Sequence, residues 1–397
     1  MKFKLHLVKK QPFFKNPKVY IYTILSIAVI TIGLLATSML GPQYNPVEKF
    51  LISKLPDNLE KDEHGFINFL IAGSGGADHI GGELTDAILV ASFNPKVKNV
   101  VMMSLPRDLY VKSPKIISQR INSIYENHYR KLGTQEAMQI LTETASQIVG
   151  FEIPYYIKIN FNFLQELIDE LGGIEIYNPE LLYDPYYPGP NYSFQTFKLA
   201  KGLQTIDGAT ALKYARSRKT SSDFARSKRQ QEIILATKNQ ALKAQILTNP
   251  AKLKKVLKIV EKNLNTNLTI DNLITLGLKA KGLSQQDMRN LVLTNDFSRV
   301  GGFLYTPPRE QYNNAYVLKS ADETYSQIHL YFLINKIYFH TMQYLGEIEI
   351  QNGTYTSGLA GKLQQVLKRF GIASSTANAE KRPVQNTTLK HYDLVGS

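Results

Sequence analysis

Phe66-Ile67-Asn68-Phe69-Leu70-Ile71 runs into Gly73-Ser74-Gly75-Gly76, and two further uncharged runs follow, Ala87-Ile88-Leu89-Val90-Ala91-Ser92-Phe93 and Val100-Val101-Met102-Met103-Ser104-Leu105. Short apolar runs bounded by turn residues read as strands buried on both faces. Asn94-Pro95-Lys96 lies between the second and third run and predicts a hairpin turn. Further along, a helix from Thr134 carries Ala137, Ile140, Leu141, Ala145 and Ile148 on one face and ends at Gly150. Tyr155-Tyr156-Ile157-Lys158-Ile159 reads as a strand. Leu164, Leu167, Ile168 and Leu171 mark a helix stopped by Gly172-Gly173, and Ile174-Glu175-Ile176 begins another strand. Strands alternating with helices predict an α/β fold, an α/β/α sandwich around a mixed central sheet. Residues 181–197, rich in Tyr and Pro, read as a loop, and residues 226–262 read as helices that are very basic over 252–262. A polar stretch at 295–315 is expected to separate the main body from a tail, in which 373–386 is poor in apolar residues.

The chain has 397 residues, enough for about two or three domains. An apolar content of 43 % with 23 Tyr excludes a disordered chain. There is no Cys, which excludes disulfides, Cys-ligated zinc, iron–sulfur clusters and thiol nucleophiles. None of the seven His forms the H-x-x-x-H spacing of a zinc helix. The net charge of +14 points to anionic partners without choosing among them.

Residues 1–18 carry six Lys and no acid, and residues 19–40 carry no charge. Twenty-two residues at 1.5 Å each span about 30 Å, the hydrocarbon thickness of a bilayer. The expectation is a cytoplasmic basic tail (1–18), a transmembrane helix (19–40) and a linker (41–64), with the bulk outside the membrane. Ala36-Thr37-Ser38 leaves signal-peptide cleavage open as an alternative. Either topology argues against a chromosomal nucleic-acid partner.

Three stretches put charge where strands end: Leu84-Thr85-Asp86-Ala87, Leu105-Pro106-Arg107-Asp108, and the run from Arg216-Ser217-Arg218-Lys219 through Asp223 and Arg226 to Arg229-Gln230-Gln231. The planar fork of Arg grips phosphate oxygens bidentately and stays charged. An acid inside such a cluster either orients the arginines or holds a divalent cation, since Mg²⁺ takes one or two carboxylates plus phosphate oxygens. These parts suit phosphoryl transfer. Singly, each has a plainer reading as an ion pair, a solvated basic face or a turn residue.

Taken in order, these residues resemble the LytR-CpsA-Psr family of membrane-anchored cell-wall enzymes. The resemblance runs over about 67–245. It is carried by Thr85-Asp86, Ala91-Ser92-Phe93-Asn94-Pro95-Lys96, Ser104-Leu105-Pro106-Arg107-Asp108-Leu109-Tyr110-Val111, Arg120-Ile121-Asn122, Leu171-Gly172-Gly173-Ile174, Asp207-Gly208, Tyr214-Ala215-Arg216-Ser217-Arg218-Lys219, Asp223-Phe224, Arg226 and Arg229-Gln230-Gln231. A weaker likeness over 345–397, with Ile348-Glu349-Ile350-Gln351-Asn352-Gly353-Thr354 and Phe370-Gly371, resembles an incomplete LytR C-terminal domain of small α+β type. The resemblance implies a catalytic domain over 65–340.

It also implies transfer of a glycopolymer, such as teichoic acid or capsule, from an undecaprenyl-pyrophosphate carrier to peptidoglycan through a phosphodiester, with Mg²⁺ (or Mn²⁺). Carried over by position, Arg107, Asp108, Arg216 and Arg218 are the catalytic set, with Asp108 orienting arginines or acting as a base. Arg120, Asp223, Arg226, Arg229, Gln230 and Gln231 are expected at the substrate, and Asp86 at the metal. The family's loop carboxylate is replaced by Gly73-Ser74-Gly75-Gly76, so Asp78 or His79 takes its place or the metal site differs. Leu84 stands where many members have Arg, and Asp86-Ala87 replaces Asp-Thr. Two further readings stay open: a polyprenyl-pyrophosphate phosphatase, and a non-catalytic binder of lipid-linked or wall polymer.

Overall fold

The structure, a computed structural model, describes residues 58–75, 82–113, 116–189, 193–217, 250–280, 285–341 and 348–389, with positions 229, 232, 233, 236, 237, 239, 240 and 283. The expected transmembrane helix at 19–40 lies outside these residues. Among the described residues, no helix is long and apolar enough to cross a membrane.

The opening runs form β1 (Ile67–Ser74), β2 (Thr85–Asn94) and β3 (Asn99–Leu105). The hairpin β4 (Tyr110–Ser113) and β5 (Ile116–Arg120) follows, then α1 (Ser123–Leu132) and α2 (Thr134–Val149). Next come β6 (Tyr155–Asn160) and α3 (Phe161–Glu170). A small lobe holds β7 (Ile174–Asn178), β8 (Leu182–Pro188), β9 (Phe194–Leu199), β10 (Gly202–Ile206) and α4 (Gly208–Arg216). The chain returns through α5 (Pro250–Asn263), β11 (Leu264–Thr266), α6 (Ile270–Lys279) and β12 (Met288–Val292). It continues with β13 (Leu304–Tyr305), β14 (Lys319–Ser320) and α7 (Ser326–Ile337), and then β15 (Ile348–Asn352), α8 (Leu359–Arg369) and β16 (Ser374–Asn378).

The central sheet has six strands in the order β11-β6-β1-β2-β3-β12. β1 runs parallel to β6 and β3 parallel to β12, while β1–β2, β2–β3 and β6–β11 are antiparallel, so the sheet is mixed. The two-residue period of a strand sorts the side chains into two buried faces. Leu70, Ala72, Ile88, Val90, Val101 and Met103 pack with Tyr125, Leu141 and Phe332 of α1, α2 and α7. Ile67, Phe69, Ile71, Leu89, Ala91 and Met102 pack with Phe163, Val256 and Leu276 of α3, α5 and α6. These two layers make the expected α/β/α sandwich. The β2–β3 turn forms as expected, with Asn94 Oδ1 accepting from the Lys96 and Val97 amides at 3.0 and 3.3 Å. Gly150 ends α2 with φ +84°, a left-handed position that suits glycine.

Two expectations are corrected. Residues 181–197 are largely a hairpin rather than a loop: β8 and β9 pair antiparallel. The pairing shifts register between Asp184 and Tyr187, so Pro185, which has no amide hydrogen, sits in the irregularity where no ladder bond is needed. The strand expected from Ile174 forms as β7 and, among the described residues, pairs with β10 in a small sheet outside the central one. The stretch 295–315 does not divide the molecule. Phe303, Leu304 and Leu318 share one core with Phe332 and with Phe370 of the C-terminal unit, and the Phe303 and Phe370 rings lie 5.0 Å apart. Polarity there marks surface turns between buried anchors.

Candidate active site

Asp86 is the second residue of β2, and Arg107 and Asp108 follow β3. Because β2 and β3 are antiparallel neighbours, with Ile88 opposite Leu105, the start of one and the end of the other share an edge of the sheet. Backbone bonds fasten this edge. The Thr85 amide and hydroxyl both donate to the Asn122 carbonyl (3.0 and 3.1 Å), and the Asn122 amide donates to the Arg107 carbonyl at 3.3 Å. The Leu318 amide donates to the Asp108 carbonyl at 2.9 Å, and the Tyr110 amide to the Leu318 carbonyl at 2.7 Å. Just upstream, Glu83 is held by the buried Lys158 of β6 at 3.0 Å, and the Lys158 ammonium lies 4.5 Å from the Tyr125 ring centre.

On this edge four charged side chains meet. Arg107 Nη1 lies 3.1 Å from Asp86 Oδ1, and Arg107 Nε lies 3.6 Å from Asp108 Oδ2. Arg120, last in β5, brings Nη1 to 3.6 Å from Asp108 Oδ1. Asp108 therefore lies between two guanidinium groups and is the least exposed of the four, at 20 %, against 51 % for Arg107 and 54 % for Asp86. Burial works against the charge on Arg107, but Asp86 and Asp108 outweigh it and hold its pKa above the ordinary arginine value. The result is a partly open, permanently cationic group with its forks oriented by carboxylates, the arrangement that grips phosphate oxygens.

Arg216 comes from a different element, the last turn of α4. Asp207 caps the start of that helix, its side chain accepting from the Thr210 amide at 2.8 Å, and hydrogen bonds from the Thr210 side chain and amide lower the Asp207 pKa. Gly208 lets the helix press onto α3: a Cβ there would sit 2.1 Å from the Gln165 carbonyl oxygen. The Arg216 guanidinium carbon lies 5.9 Å from the centre of the buried Tyr187 ring, on β8. Ser217, the next residue, is 1 % exposed and donates its hydroxyl to Asp184 Oδ2 at 2.7 Å.

Arg229, expected at the substrate, is instead a buried brace. Its Nε donates to the Tyr214 carbonyl at 3.0 Å and its Nη2 to the Ser217 carbonyl at 2.7 Å, satisfying carbonyls at the open end of α4. Asp78, His79, Arg218, Asp223, Arg226, Gln230 and Gln231 lie outside the described residues. The structure thus groups Asp86, Arg107, Asp108 and Arg120, and sets Arg216 against the β8–β9 hairpin. Sequence reasoning missed Asp184 and Ser217. The stretch holding Asp184 reads as loop, and the only signal was the alternation Tyr183-Asp184 ahead of Tyr186-Tyr187.

The donor chemistry of Asp86, a half-exposed carboxylate, fits Mg²⁺. Among the described residues there is no group of three or more His, Asp or Glu placed to hold a metal ion. A Mg²⁺ held by one or two carboxylates and phosphate oxygens does not need such a group.

A family model described as the LytR_cpsA_psr family matches residues 43–328. Among curated proteins, the chain is 28 % identical over 304 residues to the Bacillus licheniformis protein called polyisoprenyl-teichoic acid–peptidoglycan teichoic acid transferase TagU, covering 73 % of this chain and 91 % of that one. It is 28 % identical over 222 residues to the Bacillus subtilis protein of the same name, covering 55 % of this chain and 66 % of that one. The crystal structure of B. subtilis TagU aligns with a TM-score of 0.42 at 25 % identity, over 66 % of this chain and 94 % of that one. The matched span contains the whole edge built by Asp86, Arg107, Asp108 and Arg120 as well as α4 with Arg216, and the chain belongs to the LytR_cpsA_psr family.

Proposed function

We propose that this chain is a membrane-anchored transferase that moves a glycopolymer from an undecaprenyl-pyrophosphate carrier to peptidoglycan. The observation that carries the proposal is the half-exposed Arg107, oriented by Asp86 and Asp108 with Arg120 beside it, in a chain similar to proteins named as teichoic acid transferases. Arg107 and Arg120 bind the pyrophosphate and spread the charge that grows on its oxygens during transfer. A peptidoglycan hydroxyl attacks the phosphorus that bears the sugar. The bond from that phosphorus to the bridging oxygen breaks, undecaprenyl phosphate leaves, and the hydroxyl proton passes to solvent or to a carboxylate of the site. Asp108 is the described carboxylate that pairs with both arginines, and its first task is to hold them in register. Mg²⁺, when bound, adds neutralising charge on the pyrophosphate, with Asp86 as its ligand from the described residues and Asp78 as a second. Arg216 and Arg218 supply further cationic contacts. The uncharged stretch at 19–40, behind its basic flank, supports an anchor with the N-terminus cytoplasmic and the catalytic domain outside.

The test incubates the full chain in detergent with a polyprenyl-pyrophosphate-linked sugar, Mg²⁺ and peptidoglycan fragments, beside Arg107→Ala. Sugar phosphate joined to peptidoglycan, and lost in the variant, is the expected result. Release of free sugar phosphate without an acceptor identifies a phosphatase instead. Binding without turnover removes both enzymatic readings.

A further inference from the structure

The β8–β9 hairpin ends its inward face on the segment that carries Arg216. Asp184 is 2 % exposed, a carboxylate withdrawn from water that must be compensated by hydrogen bonds and charge. Its Oδ2 accepts from the Ser217 hydroxyl at 2.7 Å, and its Oδ1 accepts from the Tyr186 amide at 3.2 Å. Ser217 is bonded from both sides, because its carbonyl accepts from the buried Arg229 at 2.7 Å. Three residues along the same strand, Tyr187 lies 3 % exposed with its ring 5.9 Å from the Arg216 guanidinium carbon. Burial raises the Tyr187 pKa, while the hydrogen bond and charge of Arg216 pull against that rise. The outer face of the hairpin is solvated, with Tyr183 and Tyr186 exposed, so the inward residues are the part of β8 committed to this contact.

We infer that Asp184 and Tyr187 are positioning residues for Arg216: the hairpin fixes the Ser217 backbone through Asp184 and the guanidinium plane through Tyr187. This rests on the transferase reading for its effect on rate, but not for the contact itself. An arginine side chain has several rotatable bonds, and a guanidinium held before substrate arrives loses less freedom on binding than one that must be ordered. The short Ser between the two arginines of Arg216-Ser217-Arg218 is then explained. A small hydroxyl is needed in a buried slot between a carboxylate and an arginine.

The experiment compares the full chain with Tyr187→Phe, which keeps the ring and removes the hydroxyl, and with Asp184→Asn, which keeps the shape and removes the charge. Modification of Arg216 by phenylglyoxal, followed by peptide mass spectrometry, reads the freedom of the guanidinium with no substrate present. Both variants are expected to speed Arg216 modification several-fold while the melting temperature of Tyr187→Phe stays close to wild type. In the transfer assay Tyr187→Phe should lower kcat/KM about 10-fold, as expected when one hydrogen bond to a charged group is lost. That effect should vanish in an Arg216→Ala background. Unchanged modification in both variants overturns the inference, as does a Tyr187→Phe effect of the same size with Arg216 absent. Faster modification in a chain without transfer activity would leave the positioning intact and remove the transferase reading.

Discussion

Arg107 and Asp86 face each other at 3.1 Å across the shared edge of β2 and β3, both about half exposed. A pair this open contributes little to stability, roughly 0–1 kcal/mol. Its value is orientation, because Asp86 and Asp108 hold the Arg107 fork from two sides. Arg107→Ala should therefore leave the melting temperature within a few degrees and lower transfer by about 10²–10³-fold, the scale of losing one preorganised charge donor. Arg107→Lys should recover only a small part, since an ammonium lacks the bidentate fork. Circular dichroism melts beside the transfer assay check both statements.

Asp86→Asn keeps the hydrogen bond to Arg107 within reach but removes the carboxylate charge. The expected outcome is a higher Mg²⁺ concentration for half-maximal transfer, with substrate binding in the absence of metal unchanged or slightly tighter. Metal titrations of the transfer rate measure the first, and calorimetry with a polyprenyl pyrophosphate in chelator measures the second. An unaltered Mg²⁺ dependence would remove Asp86 from the metal site.

Gly208→Ala tests how α4 is set. The added Cβ would meet the Gln165 carbonyl at 2.1 Å, and since that atom is backbone the helix must move away from α3. A loss of about 1–3 kcal/mol is expected from overpacking. Transfer activity should fall more than stability, because Arg216 rides on the same helix.

Lys336 on α7 is buried and donates to Asp62 Oδ2 at 2.5 Å, with Asn68 bridging Asp62 to Ser92 in the sheet. Lys336→Met removes one partner of a buried pair and should cost about 3–5 kcal/mol in urea unfolding. Burial opposes the Asp62 charge, but the bonds from Lys336, the Phe66 amide and Asn68 prevail and lower its pKa. A carboxylate depressed in the folded state contributes stability that is complete above its unfolded value, near pH 4, and is lost as pH falls through the lower folded value. Asp62→Asn should flatten the acid side of the stability profile.

The three-layer architecture was legible in Ile67–Ser74, Thr85–Asn94 and Asn99–Leu105, because strands buried on both faces leave a continuous apolar signal that does not depend on their neighbours. The charged residues at strand ends were legible only as a set, because each taken singly also reads as an ion pair or a turn residue. Those local signals nominated Asp86, Arg107 and Asp108, the family resemblance added Arg120, and tertiary structure decided that Asp108 lies between the two arginines. Nothing local distinguishes Arg229 from its neighbours in a basic run. Only packing shows that its guanidinium is spent on the carbonyls of Tyr214 and Ser217. Likewise Asp184 and Ser217 lie 33 positions apart, and their 2.7 Å bond exists because β8 folds back over the end of α4. Sequence determines what hydrophobic periodicity and residue chemistry dictate one segment at a time. Which charges meet is settled by long-range packing, which brings distant segments within hydrogen-bond reach.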